Sequence, residues 1–319
     1  MSWLIFLTIE REVKLQRSLY ALKNKGNLSE DIYNKIRPTG SKCGTLYGLR
    51  KVHKGVDPKP PGRPIISAIG TYTQGTAKYL ASILKPLRDD AKYSLKDTFE
   101  FVEHVKSMSD YKTCQMASYD IVSLFTNVPV KETIEIILDK AYSHKYVQHA
   151  KRTRTILVQV EAKRKGAKTD RNKRYVYETR QITELVELFN GLERHQLKKL
   201  LVICTQKSHF QFKGIYFDQI DGVAMGGSLG PFFAEFFMDW FENKYMDEIK
   251  KYGVVSWKRF VDDIFILFSD SSKSPQLLEF LNSKHPNIKF TEEKEKVINE
   301  NKSELPFLDV LVTRDAEKG

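Results

Sequence analysis

Apolar and polar positions in this 319-residue chain follow two periods, and the change from one to the other marks the predicted elements. Short apolar runs bounded by turn residues predict strands, whereas longer stretches with apolar positions three and four residues apart predict helices. Residues 114–120, 254–260 and 264–268 have strand character. Residues 231–252 predict a long helix whose many aromatic side chains pack in the core.

The remaining pattern predicts further strands and helices. We expect a helical lead-in at 10–36, a strand-loop-strand unit at 44–67, helices at 75–87, 131–146 and 182–204, a small hairpin at 210–217, and final strands at 289–297 and 307–313. Because strands and helices are mixed along the chain, the sequence predicts an α+β fold.

A basic stretch interrupts this pattern at 151–174. It holds ten Lys or Arg residues against two acidic ones, with few large apolar residues after Val160. Such a composition cannot bury a core of its own, so it predicts a solvated insertion or mobile loop.

Composition narrows the class of protein. A hydrophobic content of 41% with 12% aromatic residues allows a large core, so disorder is not expected. The net charge is +12, with a sequence pI of about 9.3. This charge suits a surface that meets phosphate backbones, although a merely basic soluble protein would show it equally.

The cysteines and the amino-terminal residues indicate the compartment. Cys43, Cys114 and Cys204 lack paired spacing, so they predict neither a zinc ribbon nor a disulfide framework. The apolar run 3–9 has no basic leader and is too short to span a bilayer. We therefore expect an intracellular protein without a membrane anchor.

The sharpest chemical feature is Asp262-Asp263 between two apolar strands. Adjacent carboxylates repel each other, and a divalent cation removes that cost. Asp120, at the end of another predicted strand, supplies a third carboxylate if the strands are neighbours. The alternative is that Asp262-Asp263 only forms a hairpin turn, which Asp favours.

The wider context of these carboxylates resembles a known family. Residues 260–263 (FVDD) and 118–129 (SYDIVSLFTNVP) resemble the aromatic-x-Asp-Asp motif and the first catalytic motif of reverse transcriptases. The match is closest to Penelope-like retroelements, as suggested by 46–54 (LYGLRKVHK), 63–67 (RPIIS), 219–226 (QIDGVAMG) and 305–310 (LPFLDV). The six blocks occur in the family order.

The resemblance implies a right-hand polymerase with an antiparallel palm sheet backed by helices, plus helical and β fingers. The domains would be a helical lead-in at 1–43, fingers at 44–115 and a palm at 116–319 with a primer-grip hairpin near 305–313. Because the chain ends just after that motif, we expect the thumb to be absent or truncated and no endonuclease domain to follow.

The same resemblance implies the site. Asp120, Asp262 and the backbone of Ile121 would bind two Mg²⁺ ions, or Mn²⁺, with Asp263 in support. Lys51 or Lys54 would reach the incoming triphosphate together with Arg63. Ordinary surface cations are the alternative for all three residues.

Two further features of the site are implied. Phe125 aligns with the aromatic residue that excludes a ribose 2′ hydroxyl, unless it is simply a core residue. The glycine loop with Gly226 and Gly227 would pass close to the nascent base pair, because glycines permit close approach. Glycine loops alone are weak evidence.

The implied function is RNA-directed DNA synthesis by a nuclear retrotransposon enzyme, with an RNA template, a DNA primer and dNTPs as partners. Arg50 stands where the family has Pro, and 225–229 (MGGSL) replaces the commoner Met-Gly-Ser-Pro-Leu. The alternative is therefore a catalytically decayed or co-opted nucleic-acid-binding relic.

Overall fold

The chain folds into helices and mostly antiparallel strands. A computed structural model describes residues 2–50, 62–108, 113–161, 175–206 and 208–315. The helices in these ranges are α1 (Ser2–Asn24), α2 (Glu30–Ile36), α3 (Gln74–Arg88), α4 (Thr98–Lys106), α5 (Leu124–Asn127), α6 (Val130–Ala141), α7 (Arg194–Thr205), α8 (Gly230–Lys250) and α9 (Ser274–Lys284). Among the helices of these ranges, none combines the length and the apolar character that a membrane crossing requires.

The strands complete this mixed α+β architecture. They are β1 (Gly44–Arg50), β2 (Gly62–Ser67), β3 (Gln115–Ile121), β4 (Gln148–Glu161), β5 (Tyr175–Leu188), β6 (His209–Phe212), β7 (Ile215–Asp218), β8 (Val254–Phe260), β9 (Asp263–Phe268), β10 (Phe290–Lys294), β11 (Lys296–Asn299), β12 (Lys302–Phe307) and β13 (Val310–Asp315). The predicted strands at 114–120, 254–260 and 264–268 are confirmed as β3, β8 and β9.

The central sheet is antiparallel, in the order β10-β3-β9-β8. Both of its faces are covered, because alternate side chains of β9 enter two different hydrophobic cores. Ile264 and Ile266 pack in the larger core, which contains the buried aromatic face of α8. Phe265 and Leu267 pack in the smaller one. The aromatic helix predicted at 231–252 is thus confirmed as core packing.

The smaller core joins the central sheet to the end of the chain. The rings of Phe101 on α4, Phe265 on β9 and Phe307 on β12 lie 4.6 to 5.5 Å apart between centroids. β12 pairs with β13 around a two-residue turn, with Phe307 opposite Val310. The hairpin predicted near 305–313 is therefore present, and its role in gripping a primer stays a prediction.

A second sheet has the order β2-β1-β6-β7. β1 and β2 form the unit predicted at 44–67, and β6 and β7 form the small hairpin predicted at 210–217. The two hairpins meet through parallel pairing of Gly44 with Phe210. Residues 209–218, which the sequence grouped with the palm, thus share a sheet with the segment predicted as fingers.

For the stretch 151–174 the sequence predicted a solvated insertion or a mobile loop; the described part, 151–161, is a largely exposed strand, so the loop is wrong there. Its first part does not form a loop, because β4 and β5 pair over their whole length as a two-stranded ribbon, from Gln148 opposite Leu188 to Glu161 opposite Tyr175. Residues 162–174 lie outside the described residues. The helix predicted at 182–204 is also shorter than expected, since 182–188 belongs to β5 and α7 begins at Arg194.

Candidate active site

The three predicted carboxylate residues lie at one end of the central sheet. Asp120 on β3 is the direct cross-strand partner of Asp263, the first residue of β9. Asp262 lies in the turn just before β9, and its carbonyl oxygen accepts a hydrogen bond from the N–H of Ile121 at 2.9 Å. All three carboxylate residues are partly exposed. The structure thus places the backbones of Asp120, Asp262 and Asp263 next to one another, and the sharing of a metal by their carboxylates stays a prediction.

The turn that carries Asp262 has an unusual backbone. β8 ends at Phe260 and β9 begins at its partner Asp263, so Val261 and Asp262 form a two-residue connection. Val261 has a φ of 58°. A β-branched side chain rarely adopts this left-handed conformation, so the surrounding contacts must hold the turn in place.

A buried ionic network lies directly beneath this turn. Arg259 on β8 is fully buried, and its guanidinium donates to Glu235 and Glu242 on α8 at 2.7 to 3.2 Å. One further N–H of Arg259 donates to the carbonyl oxygen of Val261 at 3.2 Å. Glu242 also accepts from the indole N–H of Trp257 at 2.9 Å.

The network holds one cation between two acids. Burial acts to lower the pKa of Arg259, but the two carboxylates outweigh it and the pKa lies above its ordinary value. Burial likewise acts to raise the pKa of Glu235, yet the charge of Arg259 brings it below the usual range. In the fully buried Glu242 desolvation prevails, and the pKa is raised.

Sequence reasoning missed this network, although a signal was present. Arg259 lies two residues after Trp257 on a strand bounded by apolar residues, so both side chains face the same, buried side of the sheet. Glu235 and Glu242 are seven residues apart within the aromatic face of the predicted helix. Charged residues at inward positions of both elements indicate a buried pair.

Phe125 lies beneath the glycine loop. It is half-buried on α5 and packs against the larger core. Its carbonyl oxygen accepts a hydrogen bond from the N–H of Val223 at 2.8 Å, and a side chain at Gly230 would come within 3.6 Å of its ring. The structure therefore brings Phe125 and the loop together, while its role beside a sugar stays a prediction.

The glycine loop is also fastened to β2. The carbonyl oxygen of Met225 accepts a hydrogen bond from the N–H of Ile66 at 2.8 Å. Arg63 lies three residues before Ile66 on the same strand and is exposed. Lys51 and Lys54, the other predicted triphosphate contacts, lie outside the described residues.

The side chains that the structure describes do not form a closed metal cage by themselves. In the part of the chain that the structure describes, there is no group of three or more His, Cys, Asp or Glu residues that would hold a metal ion by itself. Asp120 and Asp263 are cross-strand partners, and Asp262 lies in the adjoining turn.

Sequence comparisons give no family. No protein-family model matches the chain, and no curated protein matches its sequence.

Comparison with solved structures reveals the fold. Telomerase from Candida albicans in complex with a TWJ fragment of telomeric RNA is similar, with a TM-score of 0.54, 13% identity, and coverage of 91% of this chain and 47% of that chain. A C-terminally truncated apo telomerase from Candida tropicalis has a TM-score of 0.54, 10% identity, and coverage of 86% and 53%. The apo telomerase of Candida tropicalis has a TM-score of 0.53 and 13% identity, and the match covers 88% of this chain and 49% of that chain.

The chain spans about half the length of these telomerases. At such low identity the likeness reaches the fold and not a particular family within it. The protein therefore has a right-hand, reverse-transcriptase-like polymerase fold, in which an antiparallel sheet is backed by helices.

Proposed function

We propose that the protein is an RNA-directed DNA polymerase of the Penelope-like retroelement kind, which extends a primer 3′ hydroxyl with dNTPs. The observation that carries the proposal is the pairing of Asp120 with Asp263, with Asp262 in the adjoining turn. The polymerase-like fold supports it. The motifs at 118–129 and 260–263 support the family.

Asp120, Asp262 and the backbone carbonyl of Ile121 would hold two Mg²⁺ ions, or Mn²⁺, and Asp263 would support them. This donor set fits Mg²⁺, which prefers oxygen ligands and usually takes only one or two carboxylates plus the phosphates of a substrate. A complete cage of protein ligands is therefore not required. When bound, the two ions would activate the attacking hydroxyl and stabilise the leaving pyrophosphate.

The protein's own residues would place the substrates around these carboxylates. In the proposal Arg63, with Lys51 or Lys54, grips the triphosphate, because a guanidinium can bind phosphate oxygens bidentately. The ring of Phe125 fills the space that a 2′ hydroxyl needs. Gly226 and Gly227 let the loop approach the nascent base pair.

An RNA template and a DNA primer are the proposed macromolecular partners. One structural neighbour is a telomerase in complex with a fragment of telomeric RNA. The net charge of +12 favours contact with phosphate backbones. As with the retroelement family, we propose that the protein works in the nucleus.

Primer extension tests the proposal. Purified protein with an RNA template, a DNA primer, dNTPs and Mg²⁺ or Mn²⁺ should synthesise DNA. Asp262→Asn should abolish synthesis and leave primer-template affinity nearly unchanged, because it removes a metal ligand but no phosphate-binding cation. Asp247→Asn, the same change at an exposed position of α8, is the matched control and should extend normally.

Two results would contradict the polymerase assignment. Synthesis by Asp262→Asn at the wild-type rate would exclude the proposed site. Wild-type protein that binds the primer-template without metal-dependent extension would instead be a decayed or co-opted nucleic-acid-binding relic.

A further inference from the structure

Arg259 connects the long helix to the turn that carries Asp262. Two hydrogen bonds hold its backbone. Its N–H donates to the carbonyl oxygen of Tyr93 at 2.9 Å, and its carbonyl oxygen accepts from the N–H of Leu95 at 2.7 Å. Its guanidinium then binds Glu235 and Glu242, so α8 holds the side chain from the other side. A fully buried guanidinium held on both sides has little freedom to move.

The remaining donor of this guanidinium reaches the turn. It binds the carbonyl oxygen of Val261, the residue with a φ of 58°. The next carbonyl, that of Asp262, is held by the N–H of Ile121 on the neighbouring strand. Two consecutive carbonyls of the turn are thus fixed by different elements, one by a side chain of β8 and one by the backbone of β3.

This arrangement is more than a buried ion pair for stability. Replacing a buried ion pair by apolar residues of similar volume is often neutral or stabilising, so stability alone is a weak reason for such a network. Here the guanidinium also holds a costly backbone conformation one residue before a proposed metal ligand. Groups that fix the orientation of a ligand tune the site although they never touch the metal.

We infer that Arg259 is a positioning residue, which fixes the Val261-Asp262 turn through Glu235 and Glu242 so that the Asp262 carboxylate is held ready for metal. The inference rests on the proposed function, because it assigns Asp262 to the metal site. It adds a part of the site that the catalytic motif 260–263 does not contain.

Arg259→Lys tests the inference. Lysine retains the positive charge between the two carboxylates, but its single ammonium lacks the planar fork that reaches Val261 as well. The variant should bind Mn²⁺, measured by the electron paramagnetic resonance of the free ion, roughly 10- to 100-fold more weakly than wild type. In primer extension kcat should fall, while the KM for dNTPs and the primer-template Kd change little.

Lys140→Met is the matched control for lost stability. Lys140 pairs with the buried Asp239 of α8 at 2.7 Å, so its removal also leaves a carboxylate of that helix without its ion pair. It does not touch the turn. This variant should melt at a lower temperature than wild type and bind Mn²⁺ with wild-type affinity.

Val261→Gly serves if Arg259→Lys does not fold. Glycine adopts positive φ without strain, so the fold should persist while the turn loosens, and Mn²⁺ affinity should fall. Wild-type Mn²⁺ affinity in folded Arg259→Lys, or in Val261→Gly, would overturn the inference. If instead Asp262→Asn leaves the wild-type Mn²⁺ affinity unchanged and wild type does not extend primers, the proposed function fails together with the inference.

Discussion

In the loop at 222–230, Gly222 and Gly226 lie too close to the protein's own backbone to carry a side chain. Gly222 has a φ of 69°, and a Cβ there would lie 2.6 Å from the carbonyl oxygen of Phe125. A Cβ at Gly226, with a φ of 104°, would lie 2.7 Å from the carbonyl oxygen of Ile66. The structure thus gives these two glycines a reason within the fold, and the approach of the loop to a base pair stays a prediction.

Gly222→Ala should therefore destabilise the protein. The new methyl group meets the backbone of α5, and alanine pays a penalty for positive φ, so the free energy of unfolding should fall by about 1 to 3 kcal/mol. Gly227→Ala is the matched control, because a Cβ at Gly227 makes only ordinary contacts, at 3.5 Å or more. Denaturant unfolding curves measure both; equal stability of the two variants would contradict the role of Gly222.

Phe125→Val tests the second predicted residue of this region. If the ring occupies the space of a 2′ hydroxyl, a ribonucleotide would bury that hydroxyl without a hydrogen bond. The cost is about 1 to 3 kcal/mol, which corresponds to roughly 5- to 150-fold discrimination. The variant should incorporate ribonucleotides more readily and lose deoxynucleotide incorporation only modestly, as measured by the ratio of the two kcat/KM values.

The opposite result for Phe125 has its own physical signature. Because the ring packs partly on the larger core and near Gly230, its removal could leave a cavity instead. Equal loss of both substrates with a lower melting temperature would identify a core phenylalanine without a role in sugar selection.

At the scale of elements, the local pattern of apolar and polar residues was enough to predict a strand or helix whose limits are marked by nearby turn residues. β8, β9 and α8 were predictable because their apolar runs end at turn residues nearby in sequence. The β4-β5 ribbon was not, since its partner residues are separated by a basic stretch, as in the pairing of Ile156 with Arg180. Cross-strand pairing, which sequence spacing does not reveal, decided its structure.

The helix predicted at 182–204 failed for a related reason. Ile182, Leu185, Val186 and Phe189 are spaced as on one helix face. In the ribbon, Ile182 and Val186 share one face while Leu185 lies on the other and is largely exposed. Pairing with β4 outweighed the local preference, and the helix begins only after the turn at 190–191.

The cations of the basic stretch 151–174 should contribute to nucleic-acid binding. Arg152 and Arg154 are already paired with Glu193 and Glu184, at 2.6 and 3.2 Å, so they are left unchanged. Replacing Lys151 and three of the cations between residues 163 and 174 by Gln should weaken affinity. For every phosphate that the variant no longer binds, the slope of log K against log salt should decrease in magnitude by about 0.7 to 0.9.

The control for this variant removes cations elsewhere. Lys244, Lys250 and Lys251 are exposed on α8 or just beyond its end, away from the glycine loop that precedes this helix. Their replacement by Gln should leave the salt slope unchanged. Fluorescence anisotropy with a labelled primer-template measures both, and an unchanged slope in the first variant would make the basic stretch a passive surface.

At the scale of the whole molecule, an ion pair joins two residues that are far apart in the sequence. Arg11 on α1 donates two hydrogen bonds of 2.7 Å to Asp218 at the end of β7. His209 on β6 also faces this carboxylate, with its Nδ1 3.2 Å from Asp218. The first helix is thereby fastened to the sheet that contains β1 and β2, which couples the lead-in to the segment predicted as fingers.

The ion pair between Arg11 and Asp218 should make the stability of the protein depend on pH. The hydrogen bonds from Arg11 outweigh desolvation and lower the pKa of Asp218 below its ordinary value of 3.8. A depressed folded-state pKa stabilises the protein above that ordinary value, and the contribution is lost as the pH falls through the folded-state pKa. Wild-type stability should therefore decline below about pH 4 more steeply than that of Asp218→Asn.

The measurement is thermal unfolding of both proteins between about pH 3 and pH 7, the range that contains the ordinary carboxyl values. Above about pH 4 Asp218→Asn should melt at a lower temperature than wild type, because Arg11 retains only a neutral partner. The melting temperatures of the two proteins should converge towards pH 3. Asp221→Asn, three residues later at an exposed position, is the control and should run parallel to wild type. If the difference between wild type and Asp218→Asn stayed constant across this range, the ion pair with Arg11 would not couple α1 to the sheet by charge, and hydrogen bonding or packing alone would hold the first helix.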